Sequence, residues 1–175
     1  MPEAILGPLV YYSIDPDRIW PSGAGLTVLT PFVRAREEFR SITPVDTMTG
    51  CAMLLPAQAW TMLGGSDPAF FMYYEDFDLT LRAKAQGIRT CIVPNPELRV
   101  WHHVSGSFRQ AAAWRKHELM TESSLIFIRR HYSGVNKAIC FVLCALHLGL
   151  TVVLNLPALP SPGRLWNAIR RGLSR

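Results

Sequence analysis

The chain has 175 residues, 49% of them apolar and 18% charged, with a formal net charge of +5. That is one domain's worth of chain with enough apolar content to build a core, which excludes a disordered polymer. All of the net charge lies from Lys137 onward, where Lys137, Arg164, Arg170, Arg171 and Arg175 meet no acid, so the basicity suits an anionic membrane surface and excludes a nucleic-acid-binding face spread over the fold.

Ala4 to Tyr12 is apolar and β-prone and runs into the turn-rich SIDPDR, which predicts a strand. The following IWPSGAG, with Pro21, Gly23 and Gly25, reads as a loop that carries Trp20. Leu26 to Phe32 fits a short strand, and Arg34 to Arg40 a solvated charge run. Val45 to Leu55 predicts a strand with Gly50 inside it, and glycine within a strand often marks close backbone approach. Pro56 then opens a short helix, PAQAWTML, which Gly64 is placed to end.

The stretch from Gly64 to Arg82, GGSDPAFFMYYEDFDLTLR, is the most informative. A GG turn leads into an aromatic block (Phe70, Phe71, Tyr73, Tyr74), then Glu75, Asp76 and Asp78. Partial burial beside aromatics raises a carboxylate's pKa unless donors or a cation hold it. Such a group is a plausible general base for a sugar hydroxyl that loses its proton as it attacks. Acidic residues also suit a helix N-terminus, which is the plainer reading. FDLTLRAKA alternates apolar and polar like a strand, but Asp, Arg, Lys and Ala are poor strand residues. Asp78 and Arg82 stand i,i+4 with the acid first, and Gly87 makes a natural stop. A helix is therefore expected over Asp76 to Ala85, buried on two sides, with Asp76 in its first turn aimed into a cleft.

Ile88 to Pro94 and Glu97 to Trp101 predict strands around the PNP turn, followed by WHHVSGS. Gln110 to His131 predicts a long helix ending in Arg129, Arg130 and His131, which suit its C-terminus. Cys51, Cys91, Cys140 and Cys144 form no CxxC pattern, so a reducing compartment is expected. The N-terminal residues carry no signal-peptide pattern.

GCAMLLPAQAWTMLGGSDPAFFMYYEDFDLTLRAKAQG, followed by PNPELRVWHHVSGS, resembles the acceptor-side half of family 2 inverting glycosyltransferases, rhamnosyltransferase-like members above all. The resemblance covers residues 4 to 135. It implies a partial GT-A fold, a mixed α/β sheet with flanking helices, over residues 1 to 136. It implies transfer of a sugar, with inversion, from a nucleotide-sugar donor to a glycan or lipid-linked acceptor, in cell-surface polysaccharide synthesis. In that setting Asp76 is the base and Glu75 orients it or meets acceptor hydroxyls. Gly50, Trp20 and Tyr74 contact the acceptor. His102, with His103 as the fallback, helps hold a divalent cation, Mg²⁺ or Mn²⁺, on the leaving diphosphate. Family members begin with a nucleotide-binding half that ends in a DxD-type motif, and this sequence shows none. A truncated, non-catalytic remnant or a split subunit is therefore the competing expectation. A small basic membrane adaptor is a third, which leaves the acidic-aromatic site unexplained.

Ala138 to Leu156 is strongly apolar but broken by His147, Thr151 and Asn155, and near the length of a spanning helix. After the PALPSPG breaker, RLWNAIRRGLSR sets Leu165, Trp166, Ile169 and Leu173 at helical spacing among arginines, the pattern of an interfacial helix. Residues 137 to 175 are thus expected to be a membrane-associated helical tail at the cytoplasmic face, where nucleotide sugars are assumed to lie. It is attached either peripherally or through a single hydrophobic helix, with attachment short of a full crossing favoured.

Overall fold

β1 (Ala4–Tyr12) is the central strand. The computed structural model describes residues 4–26, 33–35, 38–103, 113–154 and 162–175. These divide into two compact units, the first made of residues 4–26, 33–35, 38–67 and 75–103, the second of residues 68–74, 113–154 and 162–175.

In the first unit β1 pairs in parallel with β6 (Arg89–Val93) along Ala4–Pro8 and with β7 (Arg99–His102) along Leu9–Tyr12. β4 (Thr43–Val45) runs antiparallel to β6, giving the order β4-β6-β1-β7. β2 (Gly23–Leu26), β3 (Val33–Ala35) and β5 (Thr47–Met48) form a small antiparallel sheet in the order β3-β2-β5. Helices α1 (Ala57–Leu63) and α2 (Glu75–Ala85) complete the layer. Ala59 and Leu63 of α1 and Leu79 and Ala83 of α2 share one core with Ile5, Leu9, Met48 and Ile92. The result is the mixed α/β sheet with flanking helices that the resemblance implied.

Most of the predicted elements stand where expected, with several differences in the first unit. The end of the predicted IWPSGAG loop is strand β2, and Arg34 and Ala35 of the charge run lie in β3, because Gly23 to Leu26 finds β3 and β5 as partners that no local pattern shows. The single strand predicted over Val45 to Leu55 is broken into β4, β5 and a turn at Gly50, with only Leu54 bridging back to Leu6. Alternating hydrophobicity does not register such a break, because strand-like residues continue through it. The charge run is not wholly solvated: Phe39 is buried in the core. α2 does not bury two opposite sides equally. Leu79, Thr80 and Ala83 are buried, whereas Phe77 and Leu81 are half-buried. The strand predicted over Leu26 to Phe32 lies, beyond Leu26, outside the described residues, as do the VSGS and PALPS segments.

In the second unit α4 (Gly134–Leu154) and α5 (Pro162–Ser174) both pack on α3 (Ala113–His131). The sequence set a boundary at residue 136, whereas α3 groups with the two helices of the tail. Phe70 is buried in this unit, and Ser123 Oγ donates to the Met72 carbonyl at 2.7 Å, so the aromatic block lies against α3. α5 meets α3 at Gly172, where a Cβ would stand 2.8 Å from Leu125 Cβ. Sequence reading counts this glycine as a weak point of the helix; in the structure it permits the close packing. Arg171 Nε bonds Glu122 Oε2 at 2.7 Å beside that contact. α4 is long and apolar enough to cross a membrane. Its polar residues Cys144, His147 and Thr151 line a crevice shared with His117, Thr121 and Ser124 of α3. Its other face presents Val135, Val142, Leu146 and Leu150 to solvent.

Candidate active site

Asp76 sits in the first turn of α2, as the sequence placed it. Its carboxylate is held by two backbone donors. The Gly50 N–H donates to Oδ2 at 2.7 Å, and the Phe77 N–H donates to Oδ1 at 2.8 Å. Burial pushes its pKa up to about 6, and the neighbouring Glu75 charge adds to the rise; the two N–H bonds pull the other way. The balance leaves a carboxylic acid poised within reach of neutral pH, as a general base requires.

Gly50 is the close approach that the sequence pointed to, though it lies in a turn rather than a strand. A Cβ there would stand 3.2 Å from Asp76 Cβ. The turn is tied in place from the opposite direction. The Thr49 N–H donates to the Ser22 carbonyl at 3.0 Å, and Ser22 Oγ accepts from the Val10 N–H at 2.8 Å while meeting the Trp20 carbonyl at 2.9 Å. A continuous run of bonds thus joins β1, the Trp20 loop, Gly50 and Asp76. Sequence reading missed Ser22, because nothing local marks a serine whose partners lie 12 and 27 positions away.

Trp20 lies at the C-terminal ends of β1 and β7, the edge where open α/β sheets bind ligands. Its ring stacks edge-on between Tyr12, at 4.9 Å, and His102, at 4.7 Å. His103 Nδ1 lies 3.1 Å from Ser13 Oγ. Among the described residues no group of three His, Cys, Asp or Glu side chains converges on a cation position. His102 offers one imidazole at this strand end, which would supply a single ligand to a cation carried on a diphosphate, and no chemical step here is routed through such an ion.

Glu75 Oε2 is buried and has no hydrogen-bond partner among the described residues. An orphaned carboxylate oxygen beside the candidate base is an open acceptor for a substrate hydroxyl. Tyr74 belongs to the second unit, where its ring packs on Phe127 at 5.0 Å and burial pushes its hydroxyl up to about 12. Tyr73 and Tyr74 carry φ values of 69° and 66°. Two consecutive left-handed tyrosines store on the order of 1–3 kcal/mol each, and such strain gathers at functional sites.

Asp78 and Arg82 anchor α2. Asp78 is 1% exposed and accepts from Arg82 Nε at 2.8 Å. The same guanidinium donates to the Leu63 carbonyl at 2.6 Å and the Gly65 carbonyl at 2.9 Å. It thereby ties the end of α1, closed by left-handed Gly64 at φ 70°, to the helix that carries Asp76.

The sequence matches the model of the glycosyltransferase like family 2 over residues 31–119, just over half of the chain. The chain belongs to this glycosyltransferase family. Gly50, Glu75, Asp76, Arg82 and His102 all lie within the matched region; Trp20 precedes it. Rhamnosyltransferase WbbL of Escherichia coli is 36% identical over 74 residues, 42% of this chain and 28% of that protein. The N-acetylglucosaminyl-diphospho-decaprenol L-rhamnosyltransferase of Mycobacterium tuberculosis is 31% identical over 150 residues, 74% of this chain and 46% of that protein. The chain therefore spans at most about half the length of these curated relatives.

Proposed function

We propose that this family 2 chain carries the acceptor side of a sugar-transfer site in which Asp76 is the general base. The observation that carries the reading is the half-buried Asp76 carboxylate, pinned by the Gly50 N–H and lifted to a pKa of about 6. The acceptor hydroxyl gives its proton to Asp76 as its oxygen attacks the anomeric carbon of a nucleotide sugar. The bond to the nucleotide diphosphate breaks with its electron pair leaving on the diphosphate, and the anomeric centre inverts. Each Asp76 oxygen keeps a lone pair free of its backbone donor. Glu75 receives a neighbouring acceptor hydroxyl, and Trp20 offers a ring against which a sugar face can pack. Both relatives are named as rhamnosyltransferases, and one acts, by its name, on a diphosphodecaprenol-linked N-acetylglucosamine. A rhamnosyl donor and a lipid-linked glycan acceptor of cell-surface polysaccharide synthesis follow as the first substrates to try. A lipid-linked acceptor suits the apolar outer face of α4, and this supports work at a membrane surface. The cytoplasmic face is part of the proposal, as the side where nucleotide sugars are assumed to be supplied.

The test is transfer from nucleotide-activated rhamnose to polyprenyl-diphosphate-linked N-acetylglucosamine, by the full chain and by Asp76→Asn. The substitution keeps shape and removes the base, so a loss of about 10²–10⁴-fold is expected. A variant within a few-fold of the parent removes Asp76 from that role. A parent active only with a separate donor-binding chain added moves the reading to a split subunit.

A further inference from the structure

α3 and α5 run parallel. Arg115 and Glu118 of α3 share a groove with Arg164, Asn167 and Arg171 of α5, and further along Glu122 pairs with Arg171 and Leu125 faces Gly172. The N-termini of both helices therefore lie at one end, where their dipoles place partial positive charge. The groove has a volume of about 360 Å³ and is lined from the first turns of both helices as far as Arg171.

Its polar groups are only partly used. Arg115 Nη1 bonds Glu118 Oε2 at 3.0 Å, and Arg171 is engaged by Glu122. Arg164 and Asn167 are exposed and have no side-chain partner among the described residues. Glu118 is only 4% exposed, yet its Oε1 has no partner. A buried acceptor, a free guanidinium and a free amide thus face one space. An interhelical ion-pair network alone leaves no reason for that buried oxygen to be orphaned.

We propose that the groove between α3 and α5 binds a phosphorylated polyol. The guanidinium of Arg164, with Arg171 and Arg115 behind it, takes the phosphate, for which a planar fork of donors is suited. Asn167 donates to a phosphate or ester oxygen. Glu118 Oε2 is already matched by Arg115, so Oε1 accepts a hydroxyl of the polyol. A plain phosphate satisfies only the cationic part of the groove, and a plain polyol only the acidic part. Two sources have this chemistry: the head group of an anionic glycerophospholipid and a free sugar or glycerol phosphate. The groove holds roughly a dozen waters' worth of volume, room enough for either. The groove uses none of the residues assigned to the Asp76 chemistry, and its test does not read sugar transfer.

The full chain is titrated with glycerol phosphate, inorganic phosphate and glycerol while its melting temperature is followed. It is also floated with phosphatidylcholine vesicles with and without phosphatidylglycerol. Glycerol phosphate is expected to raise the melting temperature at lower concentration than inorganic phosphate, with glycerol inert. Arg164→Ala is expected to weaken glycerol phosphate binding about tenfold or more. Arg170→Ala removes the same charge from an exposed position outside the groove and is expected to leave binding unchanged. Flotation that needs phosphatidylglycerol and falls with Arg164→Ala identifies the lipid head group as the source. Flotation indifferent to Arg164, with the soluble ester still bound, identifies the free ester. Equal losses in the two arginine variants, or no shift with any ligand, overturn the proposal.

Discussion

Asp76 is stretched between two demands: burial raises its pKa, and its two backbone donors lower it. A carboxyl near 4 in the unfolded chain stands at about 6 here. Between those values the folded protein binds more protons than the unfolded one. The group therefore favours folding at low pH, and that contribution is lost as pH rises through 6. At neutral pH the ionised carboxylate is a burden on the fold, on the order of 1–3 kcal/mol. Asp76→Asn is accordingly expected to melt a few degrees higher than the parent at pH 7.5, with the difference shrinking toward pH 4.5. A variant that melts lower at pH 7.5 shows that the charge is not the strained partner. Any transfer activity is expected to fall about tenfold per pH unit below 6, as the base becomes protonated. Arg82 is the opposite case. Removing its side chain leaves Asp78, 1% exposed, as a buried charge without its cation. Arg82→Ala is expected to cost about 3–5 kcal/mol in urea denaturation. A change under about 1 kcal/mol means that water reaches Asp78.

Among the elements, α2 and α5 show how a single residue decides an interface. The sequence of α2 was ambiguous by periodicity, and the Asp78–Arg82 spacing decided correctly for a helix. The reach of Arg82 to the carbonyls of Leu63 and Gly65 was not legible, because a long side chain does not announce which backbone it caps. In α5 the same is true of Gly172, whose missing side chain is filled by α3. Gly172→Ala puts a methyl 2.8 Å from Leu125 Cβ and 2.9 Å from the Glu122 carbonyl oxygen. Despite its better helix propensity, it is expected to lower stability by about 1–3 kcal/mol through overpacking. A stabilised variant shows that α5 can slide on α3.

At the scale of the whole molecule, the basic tail and α4 bear on where the protein works. His147 and Thr151 count against membrane insertion in the sequence, but they line the crevice shared with α3. The exposed stripe of Val135, Val142, Leu146 and Leu150 carries no polar side chain. We expect the full chain to pellet with membranes through this stripe and the basic residues after it. Leu146→Glu is expected to release it into the soluble fraction, since burying a carboxylate in lipid costs several kcal/mol. A salt or carbonate wash separates surface attachment from insertion. A parent chain that remains soluble removes the membrane from the account.

The sequence by itself determined the strands beside the core, α1 with its Gly64 stop, α2 despite its misleading alternation, and the family of the catalytic stretch. These are matters of local pattern and order along the chain: period, caps and acid-before-base spacing are written within a few turns, and the family motifs simply follow one another in sequence. Only the tertiary structure decided which backbone donor holds Asp76, that Ser22 braces the Trp20 loop, and that Tyr73 and Tyr74 turn left-handed before α2. It also decided that Tyr74 packs on Phe127 and that Glu118 keeps an unpaired buried oxygen. Most of these depend on residues distant in the chain meeting in space, as Gly50 meets Asp76 and Tyr74 meets Phe127. Such meetings are fixed by how whole elements pack, and no local pattern records them.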